Sequence, residues 1–204
     1  MTDRGEDGTV PSYLGLPLDD VLSAFAEAGP APGGGSAAVI AVALAAALCT
    51  MAARLSQGRL ASAESIAAET ESIREDLAPL CDDDPQTYLR VIAAHRSPPT
   101  VDPADRAHRI DDALSEAAEA PMAVLEAGAR LTRLASQLAE EGNPNLRGDA
   151  VVAAVLAGAG AEAAAALVRI NLAQRPGDDR LARAGSLLVE ARTWAERARR
   201  TVPA

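Results

Sequence analysis

Three carboxylates stand together in "LCDDDPQTYLRVIAAH" (80–95), and their spacing singles out one of them. Counting by three and four from Leu77 puts Cys81, Asp84, Tyr88, Val91 and His95 on one helical face, so Asp84 interrupts an apolar stripe while Asp82 and Asp83 face elsewhere. A carboxylate directed into a core is costly unless it is paired or hydrogen-bonded. Asp84 is therefore a member of a structural network, a site residue whose acidity is tuned for proton transfer, or a solvent-facing cap ahead of Pro85. A second polar group lies in "EEGNPNLRGDA" (140–150), where Asn143, Asn145 and Asp149 gather at the mouth of a long apolar helix. Asp149 heads the stripe Val152, Leu156, Gly160, Ala163, Leu167 and Ile170. The third group, "PAPGGGSAAV" (30–39), sets Gly33, Gly34, Gly35 and Ser36 ahead of a segment without charge from 33 to 53. Such a turn is either a hinge or a place where free helix N–H groups and the positive dipole end meet an anionic or polar ligand group. Glu162 and Arg169, seven apart on one face, are expected to pair with each other or across a subunit contact.

Composition excludes several other chemistries. All 19 basic residues are arginine, so Schiff-base lysines, P-loop lysines and lysine general bases are ruled out. A net charge of −10 without a basic run argues against a nucleic-acid footprint. Cys49, Cys81, His95 and His108 lack metal-ligand spacing, so no metal is expected and the cysteines read as buried free thiols of a reducing compartment. Gly33, Gly35 and Ala38 fit a GxGxxA pattern, but no strand precedes them as a dinucleotide-binding turn requires. "MTDRGEDGTVPS" lacks the basic start and apolar centre of a signal peptide, which points to a cytoplasmic protein with a disordered lead over 1–16 and one domain over 17–204.

These groups need helices to position them. The chain of 204 residues is 49% apolar, mostly alanine, and only 2% aromatic, which favours helices in close approach over strands. An all-α, up-and-down bundle is expected, with helices over 17–29, from an N-cap at Ser36 to Gln57, over 63–95 with bends at Pro79 and Pro85, over 105–141 with a kink near Pro121, from GNPN to Gln174, and from the RPGDD break to Arg200. The last helix carries Leu181, Leu187, Leu188, Ala191, Trp194 and Ala198 in a stripe and should lie across the outside. The apolar stretches 33–53 and 150–168 approach the length of a membrane span. Alanine contributes little to insertion, so the simpler expectation is two central helices buried on all sides, and no membrane partner.

The segments "PAPGGGSAAVIAVALAAALCTMAARLSQGR", "LCDDDPQTYLRVIAAHR", "EAAEAPM" and "EEGNPNLRGDAVVAAVLAGAGAEAAAALVRINL" together resemble the cyclodeaminase/cyclohydrolase family, in family order from Leu18 to Asn171. The resemblance implies a dimeric helical bundle that binds a reduced folate in a pocket bordered by a second subunit, with a tetrahydrofolate derivative as substrate and no cofactor. Two reactions go with it: cyclodeamination of 5-formiminotetrahydrofolate to 5,10-methenyltetrahydrofolate plus ammonia, and hydrolysis of the latter to 10-formyltetrahydrofolate. By motif position Asp82, Asp84, Tyr88 and Asp149 carry over as site residues. The resemblance implies Asp84 as general acid/base and Asp82 or Asp149 holding the pterin edge or steadying the cationic amidine. It places Gly33 to Ser36, Asn143 and Asn145 on polar groups of the substrate, and Arg169 on its glutamate carboxylate. The chain departs from the family where lysine-rich stretches are usual, offering "SQGRLASAES" and "HRSPPT" instead. That departure keeps a cyclisation or deamination of a non-folate amidine or imine open.

Overall fold

The computed structural model describes residues 12–29, 32–96 and 102–203, with only the backbone of 84–86. Among these the chain is all-α, with eight helices and two short 3-10 turns. They are α1 (Leu18–Ala26), α2 (Gly34–Arg54), α3 (Ala63–Leu77), α4 (Leu80–His95), α5 (Pro103–Ala117), α6 (Glu119–Glu141), α7 (Arg147–Asn171) and α8 (Asp179–Arg199). Residues 1–11 of the expected lead lie outside the described residues; Tyr13–Gly15 form a 3-10 turn held by the Tyr13 N–H donating to Asp82 at 2.9 Å.

The breaks follow local chemistry, with four differences from the expectation. Gly33, not Ser36, is the N-cap of α2, and Ser36 lies buried inside the helix. That helix ends at Arg54, and Gly58 turns the chain at a positive φ of 80° that suits glycine. The segment 105–141 is two helices meeting at Ala118, not one helix kinked at Pro121: without an N–H the proline cannot continue the ladder to Ala117, so it sits in the first turn of α6. Pro79 divides α3 from α4, as expected, but Pro85 lies within α4.

The core is built on α2, α6 and α7, with α3, α4 and α8 against them. Its inner faces are mostly alanine because the backbones come too close for more. A Cβ on Gly160 of α7 would meet Val42 Cγ2 of α2 at 2.4 Å, and one on Gly128 of α6 would meet Ala161 Cβ at 2.9 Å. The buried face of α7 is Ala150, Ala153, Ala154, Ala157, Ala161, Ala164, Ala165 and Val168. This corrects the stripe read from Asp149. Gly160 of that series is buried, but Val152, Ala163 and Ile170 are exposed, because the larger side chains have been placed where the neighbouring helices leave room. Nor are the two long apolar helices buried on all sides. Both are long and apolar enough to cross a membrane, and about half of each is buried in the bundle. The α8 stripe lies as expected, with Leu188, Ala191 and Ala198 buried and Arg197 both over Trp194 and paired with Glu140 at 2.5 Å.

Buried hydroxyls tie the helices at defined heights. Thr50 of α2 and Thr70 of α3 share a 2.8 Å hydrogen bond in the core. Both cysteines are buried and free, and burial pushes the Cys49 thiol up to about 12.

Candidate functional site

Gly33, Gly34 and Gly35 form one wall of a cleft of about 430 Å³, within the size range of small-molecule sites. The facing walls are Thr87, Tyr88 and Val91 of α4, Leu114 and Ala117 at the end of α5, Ala120 and Pro121 at the start of α6, and Leu167, Ile170 and Asn171 at the end of α7. The first turn of α2 has no side-chain cap, so its leading N–H groups point toward the cleft end of the helix. Gly33 is extended (φ −125°, ψ −163°), and a Cβ on Gly33 or Gly34 would meet nothing within 4 Å. Neither backbone geometry nor packing requires glycine there. What the missing Cβ provides is room beside the N–H groups.

The α4 wall is fixed from both sides. Ser36 is buried rather than in the cleft wall, and its hydroxyl donates to the Cys81 carbonyl at 3.0 Å, tying the third residue of α2 to the first turn of α4. Asp82, half-buried, accepts the Tyr13 N–H. Burial first, then the Asp82 carboxylate and the Cys81 thiol, hold the Tyr13 phenol above its ordinary value. On the outer side Arg90 donates to Thr87 Oγ1 at 3.0 Å and pairs with Glu116 of α5 at 3.0 Å. Tyr88, on the cleft wall, remains 49% exposed. Asp84 belongs to α4 one turn before Tyr88; its side chain lies outside the described residues.

The asparagine group sits elsewhere in the fold. The Asn143 N–H donates to Ser56 Oγ at 2.9 Å, its Nδ2 to the Leu55 carbonyl at 3.1 Å, and its Oδ1 accepts the Asn145 N–H at 3.1 Å. Asn143 thus clamps the chain beyond α2 to the turn that enters α7. Because α2 has 21 residues, this end lies about 30 Å from the glycine wall. Asn145 is exposed and Asp149 half-buried at the same far end. Arg169 is exposed in the last turn of α7, at the cleft end, without an ion pair among the described residues. Glu162 pairs with Arg192 of α8, not with Arg169, which corrects the expected pair: two helical turns separate Glu162 and Arg169, whereas α8 packs alongside.

Within the chain the structure therefore brings together Gly33, Gly34, Gly35 and Tyr88, with Ser36 and Asp82 just behind them, and leaves Asn143, Asn145 and Asp149 at the opposite end. Sequence reasoning missed Thr87 and Asn171. Asn171 was legible as the one amide closing an otherwise apolar helix.

The family model described as Formiminotransferase-cyclodeaminase matches residues 17–184. A methenyltetrahydrofolate cyclohydrolase of Methylorubrum extorquens is 34% identical over 197 residues, which cover 91% of this chain and 95% of that one. Among solved structures, formiminotetrahydrofolate cyclodeaminase from Thermotoga maritima superposes with a TM-score of 0.79 at 26% identity, covering 92% of this chain and 96% of that one.

Proposed function

The chain belongs to the formiminotransferase-cyclodeaminase family, and from that premise we propose that it hydrolyses 5,10-methenyltetrahydrofolate to 10-formyltetrahydrofolate. The near full-length match to a cyclohydrolase carries this choice. The cleft is its physical support: apolar surfaces of Val91, Leu114, Leu167 and Ile170 suit a flat heterocycle, and the glycine wall lets a polar edge approach the leading N–H groups of α2.

In the proposed reaction a water oxygen bonds to the methenyl carbon between N5 and N10 while the water gives up a proton. The bond from that carbon to N5 then breaks as the carbinol O–H gives its proton to solvent and becomes the formyl carbonyl, N5 takes a proton, and the formyl group stays on N10. Asp84 is the proposed group that removes the first proton and returns one to N5. Asp82 and Asp149 are proposed to steady the amidine cation or hold the pterin edge. Gly33, Gly34, Gly35, Tyr88, Asn143 and Asn145 are proposed to frame the substrate, with buried Ser36 holding the glycine wall from behind, and Arg169 to meet its glutamate carboxylate. The reaction as proposed uses no metal or cofactor, and we place it in the cytoplasm.

A homodimer completes the proposal. Leu44 (52%) and Met51 (37%) of α2, Leu55 (57%) just beyond its end, and Val152 (50%) and Ile170 (65%) of α7 are exposed. A twofold axis crossing this face perpendicular to the helices sets the asparagine end of one protomer against the glycine end of its partner. Asn143, Asn145 and Asp149 then border the partner's cleft rather than their own.

A second reading, favoured by the likeness to the Thermotoga maritima cyclodeaminase, is cyclodeamination of 5-formiminotetrahydrofolate. The purified protein is assayed with each folate, following the methenyl absorbance and ammonia. Loss of absorbance supports hydrolysis; its growth with ammonia release supports the second reading. A protein inert toward both folates contradicts both and leaves a non-folate amidine or imine.

A further inference from the structure

Resting on the folate reading above, we infer that Asn171 is a specificity-determining residue whose Oδ1 accepts a hydrogen bond from the 2-amino group of the pterin ring. Pro121 has no N–H to donate to the Ala117 carbonyl at the α5–α6 break. Asn171 supplies the missing donor from the end of α7, its Nδ2 reaching the Ala117 carbonyl at 2.7 Å. That carbonyl can only accept, so the amide orientation is fixed: Nδ2 faces the helix break and Oδ1 faces the other way. Asn171 is half-buried and lines the cleft, and its Oδ1 has no hydrogen-bond partner among the described residues. The result is an oriented acceptor on a wall otherwise made of Leu167, Ile170 and Pro121. A ring presenting N–H groups satisfies it, whereas a ring carrying carbon there leaves it unpaired.

The test measures binding of 5-formyltetrahydrofolate and of its 2-desamino-2-methyl analogue to wild type, Asn171→Ala and Asn171→Asp. Wild type should bind the amino compound about ten-fold more tightly than the analogue. Asn171→Ala should lose that preference, binding the two within about two-fold, and Asn171→Asp, which keeps an acceptor but not the donor to Ala117, should retain it. If both variants keep the preference, or if wild type binds folate but shows none, the inference is overturned. A purely structural role would weaken both ligands equally in both variants and would also overturn it. Failure of wild type to bind 5-formyltetrahydrofolate at all would instead remove the folate reading and this inference with it.

Discussion

The Ser36 hydroxyl donates to the Cys81 carbonyl at 3.0 Å, across 45 residues of sequence and in a fully buried position. It couples the glycine wall of the cleft to the first turn of the acidic helix, so the height of Tyr88 against Gly34 depends on it. Ser36→Ala should lower stability by about 1 kcal/mol, the usual cost of one buried hydrogen bond. It should also raise the KM of the proposed reaction more than it lowers kcat. A variant with lower stability but unchanged kinetics would show that the bond serves packing alone.

Two glycines separate the demands of fold from those of ligand. Gly160→Ala drives a methyl into Val42 Cγ2, a side chain with no free rotor to yield, and should cost about 1–3 kcal/mol in denaturant unfolding. Gly34→Ala meets open space and should leave the melting temperature unchanged or slightly higher, because alanine is the better helix former. Its substrate KM should nevertheless rise, since the methyl occupies the place the proposed ligand approaches. Retention of full affinity in Gly34→Ala would assign the glycine turn to chain direction instead.

How much of this was legible in the sequence differs from one part to another. The helices and most breaks were, because proline, glycine and alanine act locally. The α5–α6 break was displaced from Pro121 to Ala118 because a proline's missing N–H is felt one turn earlier, at the carbonyl it leaves unpaired. The buried face of α7 was misread, since large apolar residues normally mark the core, and here the close crossing at Gly160 and Val42 reserves the core for alanine. The juxtaposition of Gly33, Gly34, Gly35 and Tyr88 was legible only through family resemblance, and the separation of Asn143 from them was not legible at all. It follows from the antiparallel course of α2 and α7, which residue spacing does not encode.

Asp178 caps α8, accepting the Arg180 N–H at 3.0 Å and the Arg180 guanidinium at 2.7 Å, and these bonds depress its carboxyl to about 2. A folded value below the ordinary one means that its stabilising contribution is complete above about pH 3.8 and fades as the pH falls toward about 2. Asp178→Asn should therefore unfold at a lower temperature than wild type at neutral pH, and the difference should shrink across that acid window. A difference that persists unchanged at the lowest pH would place the effect in packing rather than charge.

The proposed homodimer with shared sites makes a quantitative demand. Asp84→Asn and Asp149→Asn, each expected to be inactive, are refolded together in equal amounts. Half of the resulting dimers are mixed, and each of those holds one intact site of two, so about a quarter of wild-type turnover should return. No recovery in refolded mixed dimers would mean that both aspartates serve the same protomer's site, and an Asp149→Asn protein active on its own would mean that Asp149 serves none.

The most direct measurement of the central claim is the turnover of 5,10-methenyltetrahydrofolate by Asp84→Asn beside wild type, with folate binding and melting temperature recorded on the same samples. A loss of at least about 100-fold in kcat is expected with binding and stability preserved, the scale of a positioned general acid/base. Turnover within a few-fold of wild type would contradict it.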